Sequence, residues 1–454
     1  MLPIEQACFW MQTKRAPAQP PLQETKKVDI AIIGGGFTGL WTSVFLKQLA
    51  PSTEIALLEK ECVGYGGSGR NAGILGETVD HSHHLAITHF GFEEARRLAR
   101  IGKENVDEMA AFFSAHSLDC DFELSGRLYV SLTPAHVEDA KKSIEVATDL
   151  GVTGMRFLAK DEMYAEIHSP LYLGGVFASG AGILHPIKLI EGLKQFALKQ
   201  GVQIFENTPV SKFHGVEVHT PHGSIHSQRV ILATDAYSHH LFPQLLHRFI
   251  PLYDYILVSE PLTPEQQELI GWKNRQGVID GRTFFNYYRL TADNRVVWGT
   301  SEAAYYSPNR VDQKYDHSEE HYASLRVSFA RHFPQLSELK FPFGWGGPIA
   351  STTRLTPFFG TLDQGKIIYA LGYTGHGIGS TRIAAKILAN MALDRSCELL
   401  DLAMVRQKPF PYPPEPLRDV AVRAVTRSLR KVDQGKSPNL LLRILDRTGI
   451  GFSS

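Results

Sequence analysis

Cysteine is scarce: four in 454 residues (Cys8, Cys62, Cys120, Cys397), with no CxxC or CxH spacing. That excludes a disulfide framework and a zinc motif, and isolated thiols in a large chain fit a reducing compartment. Net charge is missing as well, because 47 Lys and Arg balance 47 Asp and Glu. Such a chain has no broad positive field for a phosphate backbone, so nucleic acid is not an expected partner. No stretch reaches the ~20 uninterrupted apolar residues of a membrane span. The opening MLPIEQACFWMQ carries Glu5 and no basic run ahead of a long apolar stretch, so it does not read as a signal peptide. A cytoplasmic protein without a membrane partner is the expectation. What the chain does have is 43% apolar residues, 10% aromatics and 39 glycines. At ~150 residues per domain this is material for two or three domains with a deep core.

Residues 11–27 are polar, with Pro17, Pro20 and Pro21, and read as an arm. The apolar run 28–33 ends in Gly34 like a buried parallel strand, residues 37–50 have helical spacing closed by Pro51, and 54–59 makes a second strand. This is a β-α-β unit. Helices are predicted at 92–118, 135–150, 159–167, 188–200 and 380–394, and strands at 126–131, 202–206, 229–234, 283–289, 295–299 and 366–371. Strand-helix units at both ends enclose helix and antiparallel sheet, so one nucleotide-binding domain is interrupted by another. The expected boundaries are an arm over 1–27, a cofactor domain over 28–90, 183–245 and 345–395, a second domain over 91–182 and 246–344, and a Pro-rich segment over 396–454. A basic amphipathic helix around 417–432 in that last segment is expected to pack on its own or a sister subunit.

The sharpest motif is Gly34-Gly35-Gly36-Phe37-Thr38-Gly39, a G-x-G-x-x-G between strand and helix. Gly34 permits the tight turn, Gly36 lets backbone approach a pyrophosphate, and Gly39 lets helix and strand pack closely. Glu59 ends the second strand 20 residues after Gly39, where a carboxylate reaches a ribose hydroxyl. A dinucleotide is therefore expected. The glycine-rich stretch 63–73 that follows cannot form a stable helix by propensity and is expected to lie as a loop against a flat ligand. His81, His83, His84 and His89 cluster without a carboxylate or ligand spacing, so no metal site is expected.

From about 28 to 395 the chain resembles the amino-acid-oxidase-like family of FAD-dependent oxidoreductases, which includes glycine, sarcosine and D-amino-acid oxidases. The likeness is carried by IIGGGFTGL (32–40), GGSGRNAG (66–73), LDCDFELSGRLYV (118–130), GILHPIKL (182–189), VILATDAY (230–237), YYRLTADNR (287–295) and GYTGHGIG (372–379). It implies an α/β plus α+β fold, with a Rossmann-like FAD domain of glutathione-reductase type interrupted by an antiparallel-sheet substrate domain. It also implies that Gly34, Gly36, Phe37, Thr38 and Gly39 hold the FAD pyrophosphate, and that Glu59 and Lys60 hold the adenosine ribose. Gly67, Ser68, Arg70, Asn71, Ala72 and Gly73 would lie along phosphates and flavin, and the Val210 backbone at adenine. Thr234 and Asp235 would close over the cofactor, and Gly372, Gly375, His376, Gly377, Ile378 and Gly379 would form the last flavin loop.

Sarcosine oxidases attach flavin through a cysteine in the segment matching 347–351, and none stands here, so non-covalent FAD is implied. Their lysine for the substrate carboxylate is matched by Gly379 or its neighbour, which argues against a simple sarcosine- or glycine-like substrate. The implied activity is oxidation of the C–N bond of a small polar primary or N-alkylated amine, of γ-glutamylated polyamine, amino-acid or aminophosphonate type. Hydride passes to flavin N5, the imine hydrolyses to an aldehyde plus ammonia or an amine, and H2O2 forms if O2 is the acceptor. The candidates around the reacting carbon are His376, Tyr287, Tyr288, Trp345 and Arg289, with Arg289 or Arg354 as an anion clamp. Strand alternation allows at most one of Tyr287 and Tyr288 to face the flavin. His185 is expected to be structural. The acceptor and an oligomeric state stay open. The alternatives are a flavoprotein subunit relaying electrons to a partner through the C-terminal segment, and a flavin dehydrogenase of alcohol or glycerol-phosphate type.

Overall fold

Strands Ile30–Ile33 and Ile55–Leu58 are buried along their whole length, as parallel strands covered on both faces must be. In the computed structural model, which describes residues 3–79, 81–447 and 450, they lie inside a six-stranded sheet. Its order is Phe358–Leu362, Ile367–Leu371, Arg229–Leu232, Ile30–Ile33, Ile55–Leu58, Gln203–Phe205, all parallel except the antiparallel first edge. Helices Phe37–Leu49 and Gly377–Ala392 follow the strands ending at Ile33 and Leu371 and pack on one another. Their N-termini therefore share one edge of the sheet, the crevice where ligands bind such folds. Helix Phe92–Ala115, expected in the second domain, buries Leu98, Ile101, Met109 and Phe113 in the same core, and its Asn105 Nδ2 donates to Gly379 O at 3.0 Å. Its apolar stripe finds cover only there.

The second sheet has eight strands in the order Phe343–Ser351, Ile250–Pro261, Arg295–Ala304, Asn286–Leu290, Gly277–Asp280, Arg127–Val130, Gly174–Ala178, Met155–Ala159. Neighbours are antiparallel except the parallel pair Gly277–Asp280 and Arg127–Val130. Its edge strand Phe343–Ser351 crosses the boundary expected at 345, because its backbone pairs with Ile250–Ser259 territory through Ile250 to Val258. Alternation divides the strand Ile250–Pro261 cleanly. Tyr253, Tyr255 and Leu257 enter an aromatic core with Tyr288, Trp298, Phe329 and Phe333, whereas Leu252, Asp254 and Ile256 face a cavity.

The arm is not a loose tether. Trp10 is buried with its indole N–H donating to Asn71 O at 2.9 Å, and Thr25–Lys27 pairs in parallel with Ser224–His226. One carboxylate ties arm, cofactor loop and sheet together. Glu206, fully buried, accepts from Lys194 Nζ at 2.5 Å, Val63 N at 2.7 Å and Gln19 N at 2.5 Å. Burial alone would raise its carboxyl pKa; the hydrogen bonds from Lys194, Gln19 and Val63 outweigh it and hold the group below its ordinary value. Replacing Glu206 by Gln leaves Lys194 buried without a counter-charge, an expected loss of ~3–5 kcal/mol in urea unfolding. A depressed carboxylate stabilises above its unfolded pKa and loses that contribution as pH falls through the folded one. The gap between wild type and Glu206→Gln should therefore narrow below the ordinary value of 4.5.

Candidate active site

The glycine turn at the end of Ile30–Ile33 leaves no room for side chains. Gly34 has φ +109°, and a Cβ there would lie 2.5 Å from Ala233 O. A Cβ on Gly39 would collide with the Gly34 carbonyl, and one on Gly36 would lie 2.8 Å from Ser68 Oγ. No side chain caps the helix at Gly36, so backbone N–H groups are left facing the cavity; Phe37 N alone is taken, by Ser68 Oγ at 2.9 Å. Such an end with its partial positive charge suits a phosphate. Glu59 accepts from Gly35 N at 2.7 Å and Glu61 N at 3.1 Å, which stiffens the turn. Burial raises its carboxyl pKa.

From this cradle a cavity of about 620 Å³ runs along Gly67–Gly73 and Thr374–Gly379 to the face of the eight-stranded sheet. Of the expected cofactor residues, Gly36, Phe37, Thr38, Gly67, Ser68, Arg70, Asn71, Ala72, Gly73, Asp235 and Gly375–Gly379 line it. Gly34, Gly39, Glu59, Lys60, Val210, Thr234 and Gly372 are not part of its lining. Lys60 pairs with Glu61 at 3.5 Å on the surface, and Thr234 Oγ1 shares a hydrogen bond with Ser238 Oγ at 2.8 Å.

The stretch expected to be all loop contains one helical turn, Gly67–Arg70. Local side-chain hydrogen bonds to the backbone offset glycine's low propensity: Asn71 Nδ2 donates to Gly67 O and Ser68 O, and Arg70 Nε to Tyr65 O at 2.7 Å. Arg70 Nη1 reaches Asp316 at 2.9 Å and Gly346 O at 3.1 Å, while its buried Nη2 has no partner among the described residues. That orphan donor, the uncapped helix end and the glycine cradle fit a dinucleotide pyrophosphate.

Asp235 accepts from Gly372 N at 2.8 Å and Ala350 N at 3.3 Å, joining both sheets; burial raises its carboxyl to about 6. His376 precedes the uncapped helix Gly377–Ala392 and lies against His81, ring centroids 4.0 Å apart and planes tilted by 47°. Burial drives both imidazoles down, His81 to about 4, so both are neutral at pH 7. His81 Nε2 is 2.7 Å from Thr374 O, which assigns that nitrogen its proton.

Tyr287 lines the cavity and donates to Asp254 Oδ2 at 2.6 Å; Asp254 Oδ1 accepts from Tyr255 N at 2.8 Å. Burial raises Asp254 to about 7, more than these hydrogen bonds lower it. Sequence reading missed Asp254, whose one signal is a lone acid inside the apolar run Ile250–Val258.

Three expected catalytic residues are elsewhere. Tyr288 points to the opposite face of its strand, stacked on Trp298 at 4.3 Å and hydrogen-bonded to Tyr172. Trp345 is buried behind the cofactor loop with its N–H on Arg70 O at 2.8 Å. Arg289 donates to Ala72 O at 2.7 Å and Leu184 O at 2.6 Å under Trp10 and is no anion clamp. Arg354 likewise binds Gln407 O, Pro357 O and Met404 O. His185 Nδ1 accepts from Lys188 N at 3.3 Å as a helix cap. The group His214, Glu217 and His219, whose ligand atoms lie within 4.8 Å, is on the small four-stranded sheet and outside the cavity lining.

The C-terminal segment closes the cavity's far side. Helix Leu417–Asp433 presents Ala421, Val422, Val425 and Leu429 to it. Asp433 accepts from Thr283 N at 2.8 Å and Phe284 N at 2.9 Å, and Arg418 donates to Asn309 at 2.7 Å. The helix thus packs on its own chain.

The model of the FAD dependent oxidoreductase family (DAO) matches residues 29–391. The chain belongs to that family. It is a FAD-dependent oxidoreductase. "Probable oxidoreductase OrdL" of Haemophilus influenzae is 30% identical over 425 residues, 91% of this chain and 94% of that protein. Gamma-glutamylputrescine oxidoreductase of Escherichia coli is 26% identical over 397 residues, covering 86% and 89%. Glycine oxidase from Geobacillus kaustophilus shares the fold with a TM-score of 0.70 at 18% identity, covering 84% of this chain and 99% of that one. The cavity-closing helix of this flavoenzyme lies beyond the family match. Among the described residues no helix is long and apolar enough to cross a membrane.

The two glycines make separable predictions. Gly36→Ala should fold with a near-normal thermal midpoint yet purify with FAD content reduced at least ~10-fold, because within the protein the new methyl meets only the Ser68 side chain, at the helix end suited to a phosphate. Gly39→Ala should lose both, because its Cβ meets backbone. The ratio of flavin to protein absorbance, read with thermal denaturation, checks the pair.

Proposed function

We propose that this flavoenzyme oxidises the C–N bond of a primary or N-alkylated amine, with FAD held non-covalently. The observation that carries it is the Asp254–Tyr287 pair on the floor of a mostly apolar cavity that continues into the dinucleotide cradle. Bound FAD supplies the hydride acceptor that turns an amine into an imine, which water hydrolyses to an aldehyde plus ammonia or a smaller amine.

Such a step requires a neutral amine, whereas amines arrive as ammonium ions. Asp254, with its carboxyl raised to about 7 by burial, is suited to take that proton at Oδ2 near neutral pH. Tyr287 Oη orients the carboxylate. The apolar wall of Leu252, Ile256, Ile279 and Phe285, with Val422 and Val425 of the C-terminal helix, excludes water and lowers the pKa of an enclosed ammonium. The two imidazoles of His81 and His376 are neutral and add no opposing charge. Non-covalent FAD agrees with the residues at 347–351, Gly-Pro-Ile-Ala-Ser, which offer no thiol. The substrate classes this supports are γ-glutamylated polyamines, amino acids and aminophosphonates, the first by likeness to gamma-glutamylputrescine oxidoreductase.

The purified yellow protein, mixed anaerobically with a panel of these amines, should bleach at the flavin absorbance with at least one. Bleaching by none of them sinks the reading. With the reactive amine, kcat/KM should rise with pH through an apparent pKa near 7 as Asp254 ionises. Asp254→Asn should abolish that limb and lower kcat/KM by ~100-fold or more.

A further inference from the structure

The small four-stranded sheet buries one face and turns the other outward. Its order is Thr25–Lys27, Ser224–His226, Glu217–His219, Lys212–His214. Alternation sends Val218 and Ile225 into the core, with Phe213 packed against them. The outer face therefore carries Glu217 and His219 on one inner strand, His214 on the neighbouring edge strand and His226 on the strand at the other side. The antiparallel registers set His214 and His226 each opposite Glu217, and His219 stands two residues along the same face. Gly215, at φ +61°, makes the tight turn that fixes the first of these registers. One carboxylate thus has a histidine on either flank and a third beside it.

Glu217 Oε1 lies 3.2 Å from His219 Nε2 and 3.7 Å from His226 Nε2. Yet His219 Nε2 is a buried atom with no hydrogen-bond partner among the described residues. A hydrogen bond therefore does not account for that approach. The ligand atoms of His214, Glu217 and His219 all lie within 4.8 Å of one another. Two ligands of a tetrahedral zinc, each bonded at about 2.0–2.1 Å, are about 3.3 Å apart. Glu217 and its two nearest imidazoles stand close to that spacing, and the exposed His214 closes its gap by side-chain rotation. Imidazole and carboxylate are donors that zinc takes.

We propose that His214, Glu217, His219 and His226 bind one divalent transition-metal ion, with zinc the ion that suits the donor set. None of the four lines the flavin cavity. Four protein ligands leave no open coordination position, so the ion is structural. It clips together three strands of the sheet that lies in the chain between Gln203–Phe205 and Arg229–Leu232 of the cofactor domain.

The test uses the FAD-loaded full chain without a polyhistidine tag, stripped of metal with EDTA and titrated with zinc chloride in a calorimeter. One zinc per chain should bind with a Kd of about 1 μM or tighter, and saturation should raise the thermal midpoint. Glu217→Gln and His219→Gln should each raise that Kd at least ~30-fold and His226→Gln about 10-fold, with the rise in midpoint reduced to match. His222→Gln, in the exposed loop between Glu217–His219 and Ser224–His226, should change neither. Flavin content establishes that each variant is folded, and any variant that fails to fold leaves the decision to the others. Absence of stoichiometric zinc binding by wild type overturns the proposal. Binding that none of the three substitutions weakens, or that His222→Gln weakens as much, also overturns it and marks an adventitious ion only. Flavin bleaching by amines is measured separately with and without zinc and should not differ, so this proposal and the amine reading fail independently.

Discussion

The buried ion pair between Arg70 and Asp316 is the joint on which the site depends. Its Nη1–Oδ1 distance is 2.9 Å, and Arg70 also donates to Tyr65 O and Gly346 O. A buried pair contributes little by Coulomb attraction alone, because both charges leave water; what makes this one favourable is that neighbouring carbonyls satisfy other donors. In return the glycine-rich loop is pinned against the edge strand of the eight-stranded sheet. Trp345 adds its indole N–H on Arg70 O. The cavity wall at the junction of the two sheets therefore has one geometry, and the residues on either side of it face the same space.

That geometry explains how a chain of net charge zero serves a doubly charged cofactor. Partial charges at two uncapped helix ends would do the work of a basic patch, with the open guanidinium donor Arg70 Nη2 in the same lining. The same restraint appears around the substrate face. Among the arginines near the cavity, Arg289 and Arg354 are saturated by backbone carbonyls and hold the fold, whereas Arg127 keeps a donor free. An arginine's role here is set by where its donors go, and the residue type says nothing about that.

The C-terminal helix shows a different division. Arg423 and Arg430 pair with Asp419 and Glu302 toward solvent and Arg418 is buried against Asn309, while Val422, Val425 and Leu429 face the cavity. The amphipathic pattern was legible as a helix with one apolar side. Nothing local says that this side covers an active-site cavity, because the covering partner is a sheet whose strand Arg295–Ala304, which carries Glu302, ends more than a hundred residues earlier.

Sequence alone determined the elements whose signals are local. The G-x-G-x-x-G turn, the two central strands and the helices after them follow from glycine's freedom and from apolar periodicity, and the matching loops were enough to name a flavin family. Alternation also showed that Tyr287 and Tyr288 part company. Tertiary structure decided which of them meets the cavity, turned Arg289 and Trp345 into supports, and brought forward Asp254 and Arg127. Asp254 is one acid in an apolar strand and Arg127 one cation in another, and each becomes significant only through what lies opposite it. Those neighbours come from distant segments of the chain, Tyr287 beside Asp254 and Gly76 beside Arg127. Burial and pairing across a sheet are properties of the folded chain, and no local pattern encodes them.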